Sequence, residues 1–158
     1  MDVEIRVPAA SEVDELAALD YGIFGEPGYS VISLRQFFDL AGPLLKVAVH
    51  GGLIGYSLVL PSYDGVSGWF LACGVRADWR GRGVGRALTV AALDGADATA
   101  VRTLRLTVLP DNHAAVGLYR SLGFTDDGMA ADYYGAGADR LVMLRHRPAR
   151  PGARQGTT

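Results

Sequence analysis

Residues 69–98 constrain this chain more than any other stretch. An apolar run at 69–75, WFLACGV, reads as a strand. A polar turn at 76–79 follows it, then Arg80, Gly81, Arg82, Gly83, Val84, Gly85 and Arg86, then an alanine- and leucine-rich run that reads as a helix to about residue 98. A strand that feeds a helix through so many glycines leaves the helix start bare. The first helical amides have no intrahelical acceptor, the helix dipole adds partial positive charge there, and glycine lets a ligand approach the backbone. Arg80, Arg82 and Arg86 add charge that persists at any working pH. The combination describes an anion site suited to phosphate. A P-loop is excluded, because no Gly-Lys-Ser/Thr ending is present. A dinucleotide fingerprint is excluded as well, because the glycines run G-x-G-x-G and not G-x-G-x-x-G. An Arg-x-x-Gly-x-Gly pattern, met by Arg80, Gly83 and Gly85, remains, beside the plain alternative of a ligand-free surface turn.

A second pattern lies downstream. After a strand at 103–109 and Pro110 comes NHAAVGLYRSLGF, residues 112–124. Asn112, Ala115, Tyr119, Gly123 and Phe124 follow Asn-x-x-Ala-x-x-x-Tyr-x-x-x-Gly-Phe. In that order, the two patterns resemble the pyrophosphate loop and the second signature of the GNAT family of N-acetyltransferases. The resemblance is specific over residues 69–124 and extends elsewhere as a compatible order of elements. Within the family, the chain is similar to ribosomal-protein and small-amine N-acetyltransferases.

Composition narrows the function classes. A chain of 158 residues, 49% hydrophobic and 20% charged, is globular and about one domain in size. A net charge of −2 opposes a general nucleic-acid binder, as does the lack of aromatics interleaved with the arginines of the loop. One cysteine permits no internal disulfide and suits a reducing compartment. The N-terminus has no basic start followed by an apolar core, and no apolar run reaches membrane-spanning length, so a cytoplasmic protein without a membrane partner is expected. Lys46 is the only lysine among 15 basic residues, which reads as the coding bias of a GC-rich, bacterial genome. His50, His113 and His146 are isolated, so no metal is expected.

Periodicity sets the rest. Val3, Ile5 and Val7 predict a first strand, and Val13, Leu16, Ala17 and Leu19 a helix over about 12–21, with Ser11 as N-cap and Asp14 three residues on. Residues 22–30 read as a loop, and Leu34, Phe37, Phe38 and Ala41 as a short helix ended by Gly42-Pro43. Strands at 44–49, 53–60 and 69–75, joined by turns at Gly51-Gly52 and Asp64-Gly65, predict an antiparallel meander. The helix between strands 69–75 and 103–109 makes those two parallel neighbours. A short strand at about 124–130, a glycine-rich segment at 132–139 and a last strand at 140–146 complete the order β-α-α-β-β-β-α-β-α-β-β. The expected class is α+β: one mixed, mostly antiparallel sheet of six or seven strands with about four helices, over residues 1–147, and a disordered tail at 148–158.

The resemblance implies direct acetyl transfer from acetyl-CoA, with no metal, to a primary amine on a small molecule or a peptide. Homodimers are common in the family. The diphosphate would lie on residues 80–86. The pantetheine arm would run along the main chain of Cys73, Gly74 and Val75, with a bond from Asn112, whose equal alternative is capping its helix. Tyr119 matches the general acid to the leaving thiolate, its alternative being packing. A backbone amide near Val75 would serve the oxyanion. The two N-terminal helices and their loop would roof the acceptor, through Phe24 and Glu26, with Tyr134 facing them. Where ribosomal-protein acetyltransferases usually carry a glutamate, this chain has Thr107, which cannot act as a base but can hold a water. Glu26, Asp39, Asp64 and Asp132 are the acidic candidates, each readable as a solvated charge. Cys73 reads as a small buried residue and not as a nucleophile. The competing class is a CoA-binding sensor or regulatory module of the same fold with little turnover.

Overall fold

The computed structural model describes residues 2–149. Its strands are β1 (Glu4–Arg6), β2 (Leu45–Val49), β3 (Leu53–Pro61), β4 (Ser67–Val75), β5 (Thr103–Val108), β6 (Thr125–Ala130) and β7 (Arg140–His146). Its α-helices are α1 (Val13–Phe24), α2 (Val31–Ala41), α3 (Val84–Asp97) and α4 (His113–Ser121). The strands form one sheet in the order β1-β2-β3-β4-β5-β7-β6. Every neighbouring pair is antiparallel except β4 and β5. The expected α+β class and mixed sheet are therefore present.

β3 is the central strand, and its residues 53–59 are buried without alternation. A strand reads so when both sheet faces are covered. Two adjacent residues identify the covers. The Tyr56 hydroxyl donates to Asp20 of α1 at 2.5 Å, whereas the Ser57 hydroxyl donates to the Leu88 carbonyl of α3 at 3.2 Å. Successive side chains of a strand point to opposite faces, so α1 and α3 sit on opposite sides of the sheet.

Several local expectations change. α1 continues through Gly22 and Ile23 to Phe24, residues expected in a loop, because Ile23 and Phe24 pack over β4. Ser11 does not cap it. Residues Ala10–Glu12 form a 3-10 turn, and the Glu12 carboxylate instead accepts from the Ala9 amide at 2.7 Å and from Arg6. That pairing, with the Arg6 bond its main cause, holds the Glu12 carboxyl at about 2. The first strand is shorter than its pattern: Val7 is exposed, and only Ile5 of the three valine and isoleucine positions lies in it. Pro148 and Ala149 have no regular structure, and the rest of the expected tail lies outside the described residues.

One register feature matters for the site. Leu58 pairs with Ala72 and Val59 with Phe70, so Leu71 is an extra residue in β4. The parallel pairing of β4 with β5 covers only Ser67 to Trp69 against Thr103 to Arg105 and stops just before this bulge. Bulges bend the strand that carries them. Beyond Trp69 the two strands diverge, and the sheet is open between them.

Asp20 is fully buried, and its second oxygen accepts from the Tyr29 amide at 2.7 Å, tying the α1–α2 loop to the core. Asp20→Ala should lower the unfolding free energy by about 1–3 kcal/mol, the cost of stranding buried donors. Urea unfolding measures this directly, and unchanged stability would show that the tie carries none of the fold.

Candidate active site: a cleft between two diverging strands

The glycine- and arginine-rich turn leaves β4 through a 3-10 turn, Ala77–Trp79, and enters α3 at Val84. Gly81 and Gly83 have φ of 72° and 82°, the left-handed region that side chains avoid, and a Cβ at either would meet nothing within 4 Å. The glycines thus serve backbone shape on an open side of the turn. Gly83 caps the helix without a side-chain bond. The first helical hydrogen bond runs from the Ala87 amide to the Gly83 carbonyl at 3.0 Å. The amides of Val84, Gly85 and Arg86 precede it and have no intrahelical acceptor.

The arginines of the turn differ in task. Arg80 donates from Nε to the Val75 carbonyl at 3.0 Å, pinning the turn to the end of β4. The Arg82 guanidinium lies 5.0 Å from the Trp79 ring centre, and Arg86 reaches Ser121 at the end of α4 at 3.1 Å.

Below the turn, the gap between β4 and β5 is a cleft of about 280 Å³ lined by Phe70, Cys73, Leu106, Thr107, Asn112, Ala115 and Tyr119, among others. A larger cavity of about 470 Å³ adjoins it beneath the α1–α2 loop, lined by Asp20, Pro27, Gly28 and Tyr29. Phe24, Leu71, Ala72, Leu109, Tyr134 and Arg140 line both, so the two are continuous.

Strand alternation decides what each residue of β4 offers. The Arg76 amide donates to the Ile54 carbonyl, and Gly74 pairs with Tyr56. Main-chain groups alternate between strand edges, so those of Gly74 face β3 while those of Cys73 and Val75 face the cleft. Gly74 contributes space instead: a Cβ there would lie 2.9 Å from the Phe24 ring and 3.0 Å from Ile23. Cys73 is packed between both core clusters, and burial pushes its thiol up to about 11, so it is protonated and unsuited to attack.

Tyr119 is buried, with Phe70 and Phe124 edge-on at 5.8 Å each, and its burial raises the phenol above its ordinary range. Packing and cleft position coexist in this one side chain. The same holds for Asn112: its carbonyl oxygen accepts from the Ala115 amide at 3.2 Å as helix cap, and the residue also lines the cleft. The Thr107 hydroxyl lies 3.2 Å from the Tyr134 hydroxyl. Phe24 lines both cavities, but Glu26 is exposed in the following turn and lines neither. Asp39 pairs with Arg35, Asp64 caps its hairpin at Val66 and Ser67, and Asp132 accepts from Gly137. None of these acids reaches the cleft.

The sequence reading missed Asp20, Tyr29 and Arg140 as lining residues. Asp20 carried a signal: with Val13 and Leu16 it sits at i, i+3 and i+7, a carboxylate on the apolar stripe of α1. Arg140 carried none, because it reaches the cleft only through the pairing of β7 with β5 and β6. Among the described residues, no group of three or more His, Cys, Asp or Glu side chains could hold a metal, and no helix is long and apolar enough to cross a membrane.

Comparison with known proteins bears on the fold and the family. Residues 11–124 match the model of the acetyltransferase (GNAT) family. A mycothiol acetyltransferase of Nocardiopsis dassonvillei is 36% identical over 98 residues, 58% of this chain and 30% of that protein. One of Saccharopolyspora erythraea is 35% identical over 105 residues, 66% of this chain and 34% of that protein. The chain thus spans about a third of the length of these relatives. Ard1 from Thermoplasma volcanium superposes with a TM-score of 0.82 at 22% identity, covering 94% of this chain and 100% of that one. The ribosomal-protein-S18-alanine N-acetyltransferase from Escherichia coli gives 0.75 at 21%, covering 92% and 94%. A Salmonella typhimurium acetyltransferase solved with acetyl-CoA gives 0.78 at 19%, covering 97% and 99%. These likenesses support the fold, and the family match extends from α1 through the bare turn to Phe124, so the chain belongs to the GNAT family of acetyltransferases.

Proposed function

We propose that this protein transfers the acetyl group of acetyl-CoA directly to a primary amine within a ternary complex. The observation that carries the reading is the opening of the sheet on the far side of β4 from β3, next to the strand end that leads into a helix start without a side-chain cap, with Tyr119 lining the opening. The residues present fit the cosubstrate. Amides of Val84, Gly85 and Arg86, with Arg82 and Arg86 nearby, offer donors and charge to a diphosphate. The edge of β4 that β5 leaves uncovered, at the main chain of Cys73, offers partners to an amide-bearing arm, while the Val75 carbonyl is held by Arg80 and its amide remains for the thioester.

The chemistry then falls to three groups. The Val75 amide faces the cleft and can donate to the thioester oxygen as charge builds on it. Tyr119 supplies a proton to the departing sulfur. A raised phenol is a weaker acid, but the same apolar cleft raises a thiol too, as the value of about 11 at Cys73 indicates. Desolvation moves donor and acceptor together, which keeps the proton transfer near balance. Thr107 and Tyr134, 3.2 Å apart, are positioned to hold a water that relays the proton of the amine onward to bulk solvent, where relatives would use a carboxylate. The acceptor, a small-molecule amine or a peptide N-terminus or lysine, would enter through the cavity under the α1–α2 loop.

Two measurements test this. Tyr119→Phe keeps the ring that packs on Phe70 and Phe124 but removes the proton, and kcat should fall by about 100-fold or more with the fold intact. The raised phenol gives a sign: with its folded value above the ordinary ~10, Tyr119 stays protonated, so wild-type kcat should show no alkaline fall below pH ~10. A near-full rate in the variant removes Tyr119 as the acid. Separately, Arg82→Glu with Gly83→Asp should abolish acetyl-CoA binding in calorimetry, because it adds negative charge and a strained positive φ where donors are needed. Retained affinity would dismiss the turn as the diphosphate site. If acetyl-CoA binds but no amine in a broad panel releases thiol, the sensor reading takes the place of the enzyme.

A further inference from the structure

We propose that Arg140 makes the acceptor cavity select amines that carry a carboxylate near the nitrogen, and reject polycationic amines. The inference rests on the acetyl-transfer reading above. Arg140 opens β7, opposite Ala130 of β6, and lines both the cleft and the cavity beneath the α1–α2 loop. It therefore stands at the junction that an acceptor must occupy to meet the thioester.

Its charge is not neutralised. Arg6, Arg35, Arg76, Arg105, Arg120 and Arg145 each hold an aspartate or glutamate within 4 Å, but Arg140 has no such partner among the described residues. One N–H donates to the Asp139 carbonyl at 2.8 Å, and the guanidinium lies 5.0 Å from the Tyr134 ring centre. The ring contact orients the fork without cancelling its charge, and the remaining donors match a carboxylate in two-point geometry.

The rest of the cavity agrees. Its other charged lining residue, Asp20, has one oxygen bonded to Tyr56 and the other to Tyr29 and is fully buried, which makes it a poor host for an ammonium group. Phe24, Tyr29, Leu71 and Leu109 offer an apolar wall to a side chain. A polyamine would bring several positive charges to one unneutralised guanidinium and find no open carboxylate. An amine with an apolar body and a carboxylate finds a partner for each part. That carboxylate can belong to a free amino acid or to an acidic side chain next to a peptide N-terminus.

Binding of product analogues separates these cases without relying on turnover. With CoA present, N-acetyl-leucine should bind about tenfold or more tightly than N-acetyl-leucinamide, as expected for a charge-assisted pair. Arg140→Gln should erase the preference while CoA affinity is unchanged, and Arg140→Lys should restore part of it. An N-acetylated, C-terminally amidated Leu-Glu peptide compared with its Leu-Gln counterpart tests the second source. Equal binding within both pairs by the wild type overturns the proposal, as does a preference that survives in Arg140→Gln. Turnover assigns any failure. Should leucine and isoamylamine be acetylated with equal kcat/KM, transfer stands and the role of Arg140 falls. Should no amine be acetylated while the Arg140-dependent preference persists, the carboxylate site stands and the transfer reading falls.

Discussion

Backbone hydrogen bonding between β4 and β5 ends after Trp69 and Arg105, and the remainder of the molecule is arranged around that loss. Parallel strands inside a sheet normally satisfy each other, and a buried unpaired amide or carbonyl costs on the order of 1–3 kcal/mol. Here the cost is tolerated because the separation is built in. The extra residue Leu71 bends β4, Phe24 and Ile23 of α1 press on Gly74 from one face, and α4 places Tyr119 between Phe70 and Phe124. An edge held open in this way can be satisfied by an extended ligand without rearrangement, which lowers the ordering cost of binding.

Charge in this chain is organised locally and not by its total. Arg6, Arg35, Arg76, Arg105 and Arg120 pair with carboxylates near the surface, and Arg145 and Asp97 form a two-point pair that joins β7 to the end of α3. At the turn before α3, Arg80 bonds the Val75 carbonyl, and at the start of β7, Arg140 bonds the Asp139 carbonyl. Between those two cationic points lies an apolar cleft that raises both a phenol and a thiol by desolvation.

The cavity under the α1–α2 loop is secured from behind. Asp20 accepts from Tyr56 on the central strand and from the Tyr29 amide in the α1–α2 loop, so a single carboxylate sets the distance between the roof of the cavity and the sheet. Gly28 sits against that carboxylate so closely that a Cβ would overlap it. The cavity shape thus depends on a side chain that has no free oxygen for a ligand.

Much was legible in the linear chain, for a local reason. The bare turn depends on residues 80–86, which are contiguous, and glycine conformation and unpaired helix amides are properties of neighbours in sequence. The cap at Asn112, the position of Tyr119 and the order of strands follow from short-range spacing in the same way. What the sequence could not supply depends on which distant segments meet. The length of α1 was set by packing on β4, which overrode the loop tendency of Gly22. Glu26 fell outside the cavity, while Asp20, Tyr29 and Arg140 entered it, because helix phase and strand register determine which side chains face inward. Thr107 acquired a partner in Tyr134 only when β7 settled between β5 and β6. Residue type and spacing therefore determined where the glycine turn leaves a helix start without a side-chain cap. Only the sheet, through one bulge and one lost ladder, decided which side chains line the cleft.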